Sequence, residues 1–321
     1  MALTDEGLIS IPGLYSRNVR LASGARAHYV TAGESGPNVV LLHGGIPGSN
    51  GIAGWRYMAP FLGEQGFRVF CPDQPGFGLA DTRPEFHPVH GVFSHVEFLE
   101  QFVDAVGLDE FSLAGNSMGC INTVHYVVRY PHRVTRFALI AGGIGEHHPL
   151  DLTRPRATVR WDGKPETMRA MMAAIIRHPE EITDDLIEMR VRGADLQAES
   201  WPKWQHAFIE GGMDADLAVA LTTKDRITRL SVPGICLYGQ DDVILPVHLG
   251  QEQEDVLPDI QFFYPEDCGH QGQTDQPELF NQVFLEFFRD GRISRKTADR
   301  AGVSTRRPEN PALVEQVTGE R

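Results

Sequence analysis

The chain alternates short, continuously apolar runs with longer stretches whose apolar residues recur every three or four positions. Asn38-Val39-Val40-Leu41-Leu42 is the first clean run, closed by His43 and two glycines, as expected of a strand buried on both faces. Ahead of it, Val19 to Leu21 and Ala25 to Val30 read as a hairpin turning at Ser23-Gly24. Behind it, Phe67 to Cys71, Phe111 to Ala114 and Val134 to Ile140 read as strands, with helices over Glu97 to Val106 and Cys120 to Arg129 between them. Strands separated by amphipathic helices predict an α/β fold with a mostly parallel central sheet covered by helices.

The rhythm breaks after Gly145. From about His148 to Leu217 only helical stretches stand out: Glu166 to Ile176, Asp184 to Arg192 and Trp201 to Phe208. So long a connection is uncommon between two strands, and a helical cap inserted over the sheet is the economical reading. Its methionines, Met172 among them, are expected to pack or to roof an apolar pocket. The sheet resumes at Gly234 to Tyr238, followed by a helix over Leu249 to Val256, a strand over Ile260 to Tyr264 and a helix over Pro277 to Phe288. The organisation expected is a first core part over 1–145, a cap over 146–217, a second core part over 218–290 and a polar, basic C-terminal tail over 291–321. The tail carries Arg292, Arg295, Lys296, Arg300, Arg306 and Arg307 without an apolar stripe, which predicts a loosely docked segment.

Composition narrows the functions open to this fold. The 321 residues are 41% hydrophobic and carry a net charge of −14, which suits a soluble protein with a large core and argues against a nucleic-acid surface or an anionic membrane. The four cysteines (Cys71, Cys120, Cys236 and Cys268) form no CxxC pair and are expected to be small buried residues. No targeting segment or apolar run of membrane length is evident, so a cytoplasmic protein is expected. A homo-oligomer is left open.

The strongest local signal is Gly115-Asn116-Ser117-Met118-Gly119, directly after one predicted strand and before a predicted helix. A nucleophile on such a sharp turn needs small residues two places before and after it, because the chain passes close on both sides. Ser117 is the candidate nucleophile, and the backbone N–H of Met118 at the helix start is a candidate oxyanion donor. Of thirteen histidines, His270 lies in the loop after the last strand and is the candidate base. His28, His132, His178 and His206 lie away from that edge, and His147 and His148 could reach the pocket. An orienting acid is expected after an earlier strand, where Asp241 and Asp242 stand side by side and spacing cannot separate them. Glu266 and Asp267 share the histidine's own loop and are poorly placed to reach back to its ring. The loop His43-Gly44-Gly45-Ile46-Pro47-Gly48 offers the second oxyanion donor, Gly45 ahead of Gly44, with His43 orienting it. No dinucleotide, phosphate-loop or zinc motif is present. Serine, base and oxyanion hole suffice for acyl transfer on a small-molecule carbonyl substrate, so no cofactor or metal is required.

These motifs, with Asp73-Gln74-Pro75-Gly76-Phe77-Gly78 and Gly239 to Asp242 in the same order, resemble the α/β-hydrolase fold over roughly residues 19 to 290. The resemblance selects Asp242 as the acid. Within that fold the chain is similar to the meta-cleavage product hydrolases, which cut a carbon–carbon bond in vinylogous 1,5-diketones derived from aromatic rings. Their HGxGPG motif is matched by His43 to Gly48, and their asparagine before the serine by Asn116. Their cap arginine is matched in Ile182 to Arg190. The resemblance thus implies substrate contacts at Arg190, with Arg192 as competitor, and at Asn116. It also marks departures: Tyr57 stands two residues after Trp55 where the family has asparagine, and Gln271 follows the histidine where tryptophan is common. The first loop is two residues longer, through Ser49 to Gly54. Trp55, Tyr57, Gln271 and Met172 complete the expected pocket. Hydrolysis of a carboxylic ester or lactone is the alternative activity, and a catalytically silent ligand receptor is the alternative of a different kind.

Overall fold

The structure is a computed structural model that describes residues 3–142, 160–211 and 215–316. Among them eight strands form one sheet: β1 (Tyr15–Arg20), β2 (Arg26–Ala32), β3 (Asn38–Leu42), β4 (Arg68–Pro72), β5 (Phe111–Asn116), β6 (Val134–Ile140), β7 (Gly234–Leu237) and β8 (Ile260–Phe263). Their order across the sheet is β1-β2-β4-β3-β5-β6-β7-β8. The pairs β1–β2 and β2–β4 are antiparallel and all others parallel.

The apolar runs are continuous because both faces of the sheet are covered. In β3, Val39 and Leu41 enter one buried cluster while Val40 and Leu42 enter the other, and β6 divides Ala138 and Ile140 from Phe137 and Leu139 in the same way. The period of two along a strand thus feeds two cores. The edge strand β1, by contrast, has only Ser16 and Val19 half-buried, which is why its start was faint in the sequence.

Among the described residues thirteen α-helices surround the sheet. The first four are α1 (Gly51–Trp55), α2 (Met58–Glu64), α3 (Val92–Ala105) and α4 (Met118–Arg129). Between β6 and β7 lie α5 (Pro165–Ile175), α6 (Asp184–Leu196), α7 (Trp201–Gly211), α8 (Ala215–Leu221) and α9 (Lys224–Ile227), the inserted helical region that serves as a cap. The boundary expected at 217 falls inside α8. The last four are α10 (Val247–Val256), α11 (Gly272–Asp275), α12 (Pro277–Asp290) and α13 (Arg295–Arg300). Helices α1 and α2 escaped the sequence reading because Gly51, Gly54 and Pro60 disguise them. Asn50 caps α1, its side chain accepting from the Ala53 N–H at 2.7 Å.

The expectation of a loosely docked tail does not hold for residues 291–316. Ile293, Ala298, Ala301, Leu313 and Val314 are buried in the main core, and Val303 pairs antiparallel with Phe263, covering the β8 edge. Two of the arginines that made this segment look solvated are hydrogen-bond donors to the body. Arg307 donates to the carbonyls of Glu254, Leu257 and Ile260, and Arg306 pairs with Asp255 at 2.8 Å. Sparse apolar anchors joined by backbone pairing leave no periodic stripe to recognise.

All four cysteines are buried and unpaired, and burial pushes the Cys120 thiol up to about 12. No helix among the described residues is long and apolar enough to cross a membrane.

Candidate active site

Strand β5 runs straight into α4, and Ser117 sits on the junction with φ 55° and ψ −117°. A non-glycine residue at positive φ is costly and persists only where its surroundings impose it. The two flanking glycines provide that room. A Cβ on Gly115 would stand 2.1 Å from the carbonyl carbon of Gly119, and one on Gly119 would stand 2.3 Å from the Leu42 carbonyl oxygen. The turn is closed by the Ser117 N–H donating to the Ile140 carbonyl at 2.9 Å. Met118 opens α4, so its N–H is one of the first four helical donors without an intrahelical acceptor.

His270 and Asp242 come from the loops after β8 and β7. The His270 ring bonds Asp242 Oδ2 through Nδ1 at 2.8 Å, and both side chains are buried. The other carboxylate oxygen, Oδ1, accepts from the N–H groups of Ile244 at 2.8 Å and Leu245 at 2.9 Å. Its neighbour Asp241 instead faces outward to Arg177 at 3.2 Å. Exposed Asp267 pairs with Arg177 and His178. His147 and His148 lie outside the described residues.

Asn116 ties the serine turn to the histidine loop. Its Nδ2 donates to the carbonyls of Ile140 and His270, both at 3.0 Å. The amide donors expected to serve a substrate are therefore spent on the scaffold, leaving Oδ1 as a buried acceptor without a partner. Asp275, which the sequence did not single out, does similar work. It accepts from Gly269 N–H at 2.8 Å with one oxygen and from Arg177 N–H at 2.8 Å with the other. It joins the His270 loop to the cap, and burial raises its pKa despite those donors.

The glycine loop after β3 lies against this turn. A Cβ on Gly44 would be 3.4 Å from Ser117 Cβ, and one on Gly45 would be 3.1 Å from Met118 Cβ. The loop's orientation is set by His43. Its Nε2 accepts from the Gln74 N–H at 3.0 Å, so Nδ1 carries the proton and donates to the Gly44 carbonyl at 2.8 Å. In a trans peptide the Gly44 carbonyl and the Gly45 N–H point opposite ways, so the His43 bond aims the Gly45 N–H away from the imidazole. Beneath it, Asn122 Nδ2 donates to Gln74 Oε1 at 2.6 Å and to His95 Nδ1 at 2.9 Å, and His95 Nε2 donates to the Pro75 carbonyl at 2.9 Å. Both histidines are neutral in this network. Burial holds each down at about 4, helped at His95 by the proximity of His43.

Arg190 on α6 is fully buried at 1% exposure. Its Nη1 donates to Ser49 Oγ at 3.2 Å, its Nε has no partner, and none of the ion pairs among the described residues involves it. Burial, and then the neighbouring Arg56 charge, lowers it to about 9. The competitor Arg192 is exposed and paired with Glu188 at 2.5 Å. An unpaired buried cation is strongly unfavourable until an anion joins it.

The other expected pocket residues have different surroundings. Trp55 is buried against Phe284, ring centroids 6.4 Å apart. Tyr57 donates to Glu181 at 2.5 Å and lies under the Arg56 guanidinium at 4.6 Å, part of a clasp between the α1–α2 junction and the cap. Met172 is buried in the main core with Met168 and Met171. None of these hydrogen bonds or ring contacts involves Ser117, Asp242 or His270. Gln271 is buried with its Oε1 unpartnered. An apolar group that the sequence reading missed, Trp204 with Phe77 and Met118, stands beside Gly45, the indole and phenyl centroids 5.4 Å apart.

A second serine–histidine–aspartate set exists. His28 bonds Ser16 Oγ at 3.0 Å and Asp73 Oδ2 at 2.8 Å. The histidine–aspartate distance, 2.8 Å in both, does not separate it from the first. Ser16, however, sits in a regular antiparallel ladder opposite Val30, with neither a strained turn nor a helix start beside it. Ser16→Ala is therefore expected to leave kcat/KM within about twofold and to cost roughly 1 kcal/mol of stability, the worth of an ordinary hydrogen bond. Paired kinetics and melting curves check this, and a tenfold loss of activity would assign catalysis to the wrong set here.

A profile of the alpha/beta hydrolase fold family matches residues 37–277 of the chain. The 2-hydroxy-6-oxo-2,4-heptadienoate hydrolase of Pseudomonas putida is 31% identical over 273 residues, 83% of this chain and 94% of that protein. The 2-hydroxy-6-oxo-6-phenylhexa-2,4-dienoate hydrolase of Burkholderia cepacia is 29% identical over 280 residues, 85% of this chain and 95% of that one. Among solved structures, the 2-hydroxy-6-oxo-6-phenylhexa-2,4-dienoate hydrolase of a Rhodococcus species superposes with a TM-score of 0.71 at 26% identity, covering 86% of this chain and 99% of that one.

Proposed function

Because the chain belongs to the α/β-hydrolase fold family, as a serine hydrolase closely related to the meta-cleavage product hydrolases, we propose that it hydrolyses the carbon–carbon bond of a vinylogous 1,5-diketone in aromatic-compound catabolism. The observation that carries this reading is Arg190, buried in the cap without a counter-ion. A simple ester needs no such group, whereas a dienoate brings a carboxylate that its planar fork can bind with two hydrogen bonds.

In this reading the carboxylate and enol end of the substrate pairs with Arg190 and Ser49. The dienol is first ketonised, a proton moving from the enol oxygen to the carbon that will leave. His270, held by Asp242, then takes the Ser117 proton as Oγ attacks the remote carbonyl. The oxyanion is received by the N–H groups of Met118 and Gly45. As the tetrahedral species collapses, the carbon–carbon bond breaks and its electrons enter the conjugated ketone of the departing fragment. His270 returns the proton, and water releases the acyl group as an acid. The apolar face of Trp204, Phe77 and Met118 suits the substituent on the attacked carbonyl.

Gln271 favours a second reading. A buried polar amide stands where an apolar wall is common, which leaves that end of the site less suited to an aromatic dienoate and open to a carboxylic ester or lactone. Comparing kcat/KM on a yellow meta-cleavage dienoate with a panel of aryl esters and lactones separates the two. The dienoate is expected to bleach. Arg190→Met is expected to lower kcat/KM on the dienoate by roughly 10²–10³, as for loss of one partner of a desolvated charge pair, and to change neutral esters by less than about threefold. A dienoate left unbleached while esters or lactones are hydrolysed would establish the ester reading instead, and equal losses on both classes would make Arg190 a structural residue.

A further inference from the structure

The cap reaches the proposed oxyanion loop directly. Helix α7 opens with Trp201, whose indole N–H donates to the Gly45 carbonyl at 3.2 Å. One turn on, Trp204 Cη2 lies 2.8 Å from the position a Gly45 Cβ would take, so its ring closes the space into which that residue could rotate. The joint carrying Trp201 is itself anchored. The Trp201 N–H donates to the Gln197 carbonyl at 2.9 Å, and Gln197 Nε2 donates to the carbonyls of Gly78 at 3.2 Å and Ala80 at 3.0 Å.

Two consecutive glycines are the most rotatable pair a chain can contain, and an oxyanion donor is effective only when its direction is preset. The peptide before Gly45 is held by His43 through the Gly44 carbonyl, and the peptide after it is held by Trp201. We infer that Trp201 is a positioning residue for the hydrolytic reaction, its indole N–H fixing the Gly45 peptide so that the cap supplies part of the oxyanion hole's preorganisation. The inference rests on the reading of Gly45 as an oxyanion donor.

Trp201→Phe keeps a ring and removes the donor. It is expected to lower kcat on an activated aryl ester about tenfold with KM within about twofold, a small part of what deleting a donor outright costs. The discriminating readout is the affinity of a trifluoromethyl ketone, which forms a tetrahedral oxyanion on the serine, relative to the matching methyl ketone. That preference is expected to fall about tenfold in Trp201→Phe. Both ligands are measured on the same folded molecules, so reduced stability does not move the ratio. An unchanged ratio, with or without a change in kcat, overturns the positioning role. A wild-type protein that shows no trifluoromethyl preference overturns the oxyanion-hole reading beneath it.

Discussion

Ser117→Ala is expected to lower kcat/KM on an activated ester by roughly 10⁴- to 10⁶-fold, the range seen when a triad nucleophile is removed from a hydrolase whose oxyanion hole stays intact. The fold should survive, because alanine meets the same φ of 55° as serine and loses only a hydroxyl. Ser117→Gly should be equally inactive yet more stable by about 1 kcal/mol or more, since glycine adopts that conformation without strain. Steady-state kinetics with melting curves on both variants check the pair of outcomes. Full activity in Ser117→Ala would sink the assignment of the nucleophile, and a destabilised Ser117→Gly would mean that the turn is not strained.

Stability should fall steeply as the pH drops from about 6.5 towards 4. His43 and His95 are buried and neutral, each lowered to about 4 mainly by burial, whereas both titrate near 6.5 in the unfolded chain. Between those values the unfolded state carries both protons and the native state neither, so the free energy of unfolding rises with pH by up to about 2.7 kcal/mol per unit. Over the whole window this is of order several kcal/mol, a large share of a typical domain's margin. Asp275, raised by burial, works in the opposite direction and blunts the slope. Asp73 adds to the loss only at lower pH. Burial opposes its ionisation, but His28, His43 and the Gly51 N–H outweigh that and hold it below the usual carboxylate range. Urea unfolding at several pH values should give the two-proton slope, and His95→Gln, which can still donate to the Pro75 carbonyl, should reduce it to about one proton. A flat profile between pH 6.5 and 4.5 would show that the two imidazoles are not the neutral struts described.

Much of the core was legible because its signals are local. Strands β3 to β8 stand out as continuous apolar runs. Ser117 stands out because its turn needs Gly115 and Gly119 within two residues, and His270 because it ends the last strand's loop. One signal was present and unused. On α6, Leu186, Ile187, Arg190 and Ala194 follow helical spacing on one face, which puts Arg190 inward and Arg192 outward. Other features had no local signature. Asp241 and Asp242 differ only in which one the backbone turns towards Ile244 and Leu245. The partners of Asp275 lie in another loop and in the cap. The docking of residues 291–316 depends on carbonyls of β8 and α10 that no periodicity announces.

What the order of residues settles alone is therefore the alternation of strands and helices, the sharp turn at Ser117 and the residue types of a hydrolytic triad, since each follows from neighbours a few positions apart. Which carboxylate meets His270, that Arg190 is stripped of counter-ions, and that Trp201 grips Gly45 from 156 residues away were decided by the tertiary structure. Those features depend on burial and on backbone groups brought together from distant segments, and only a folded chain has either.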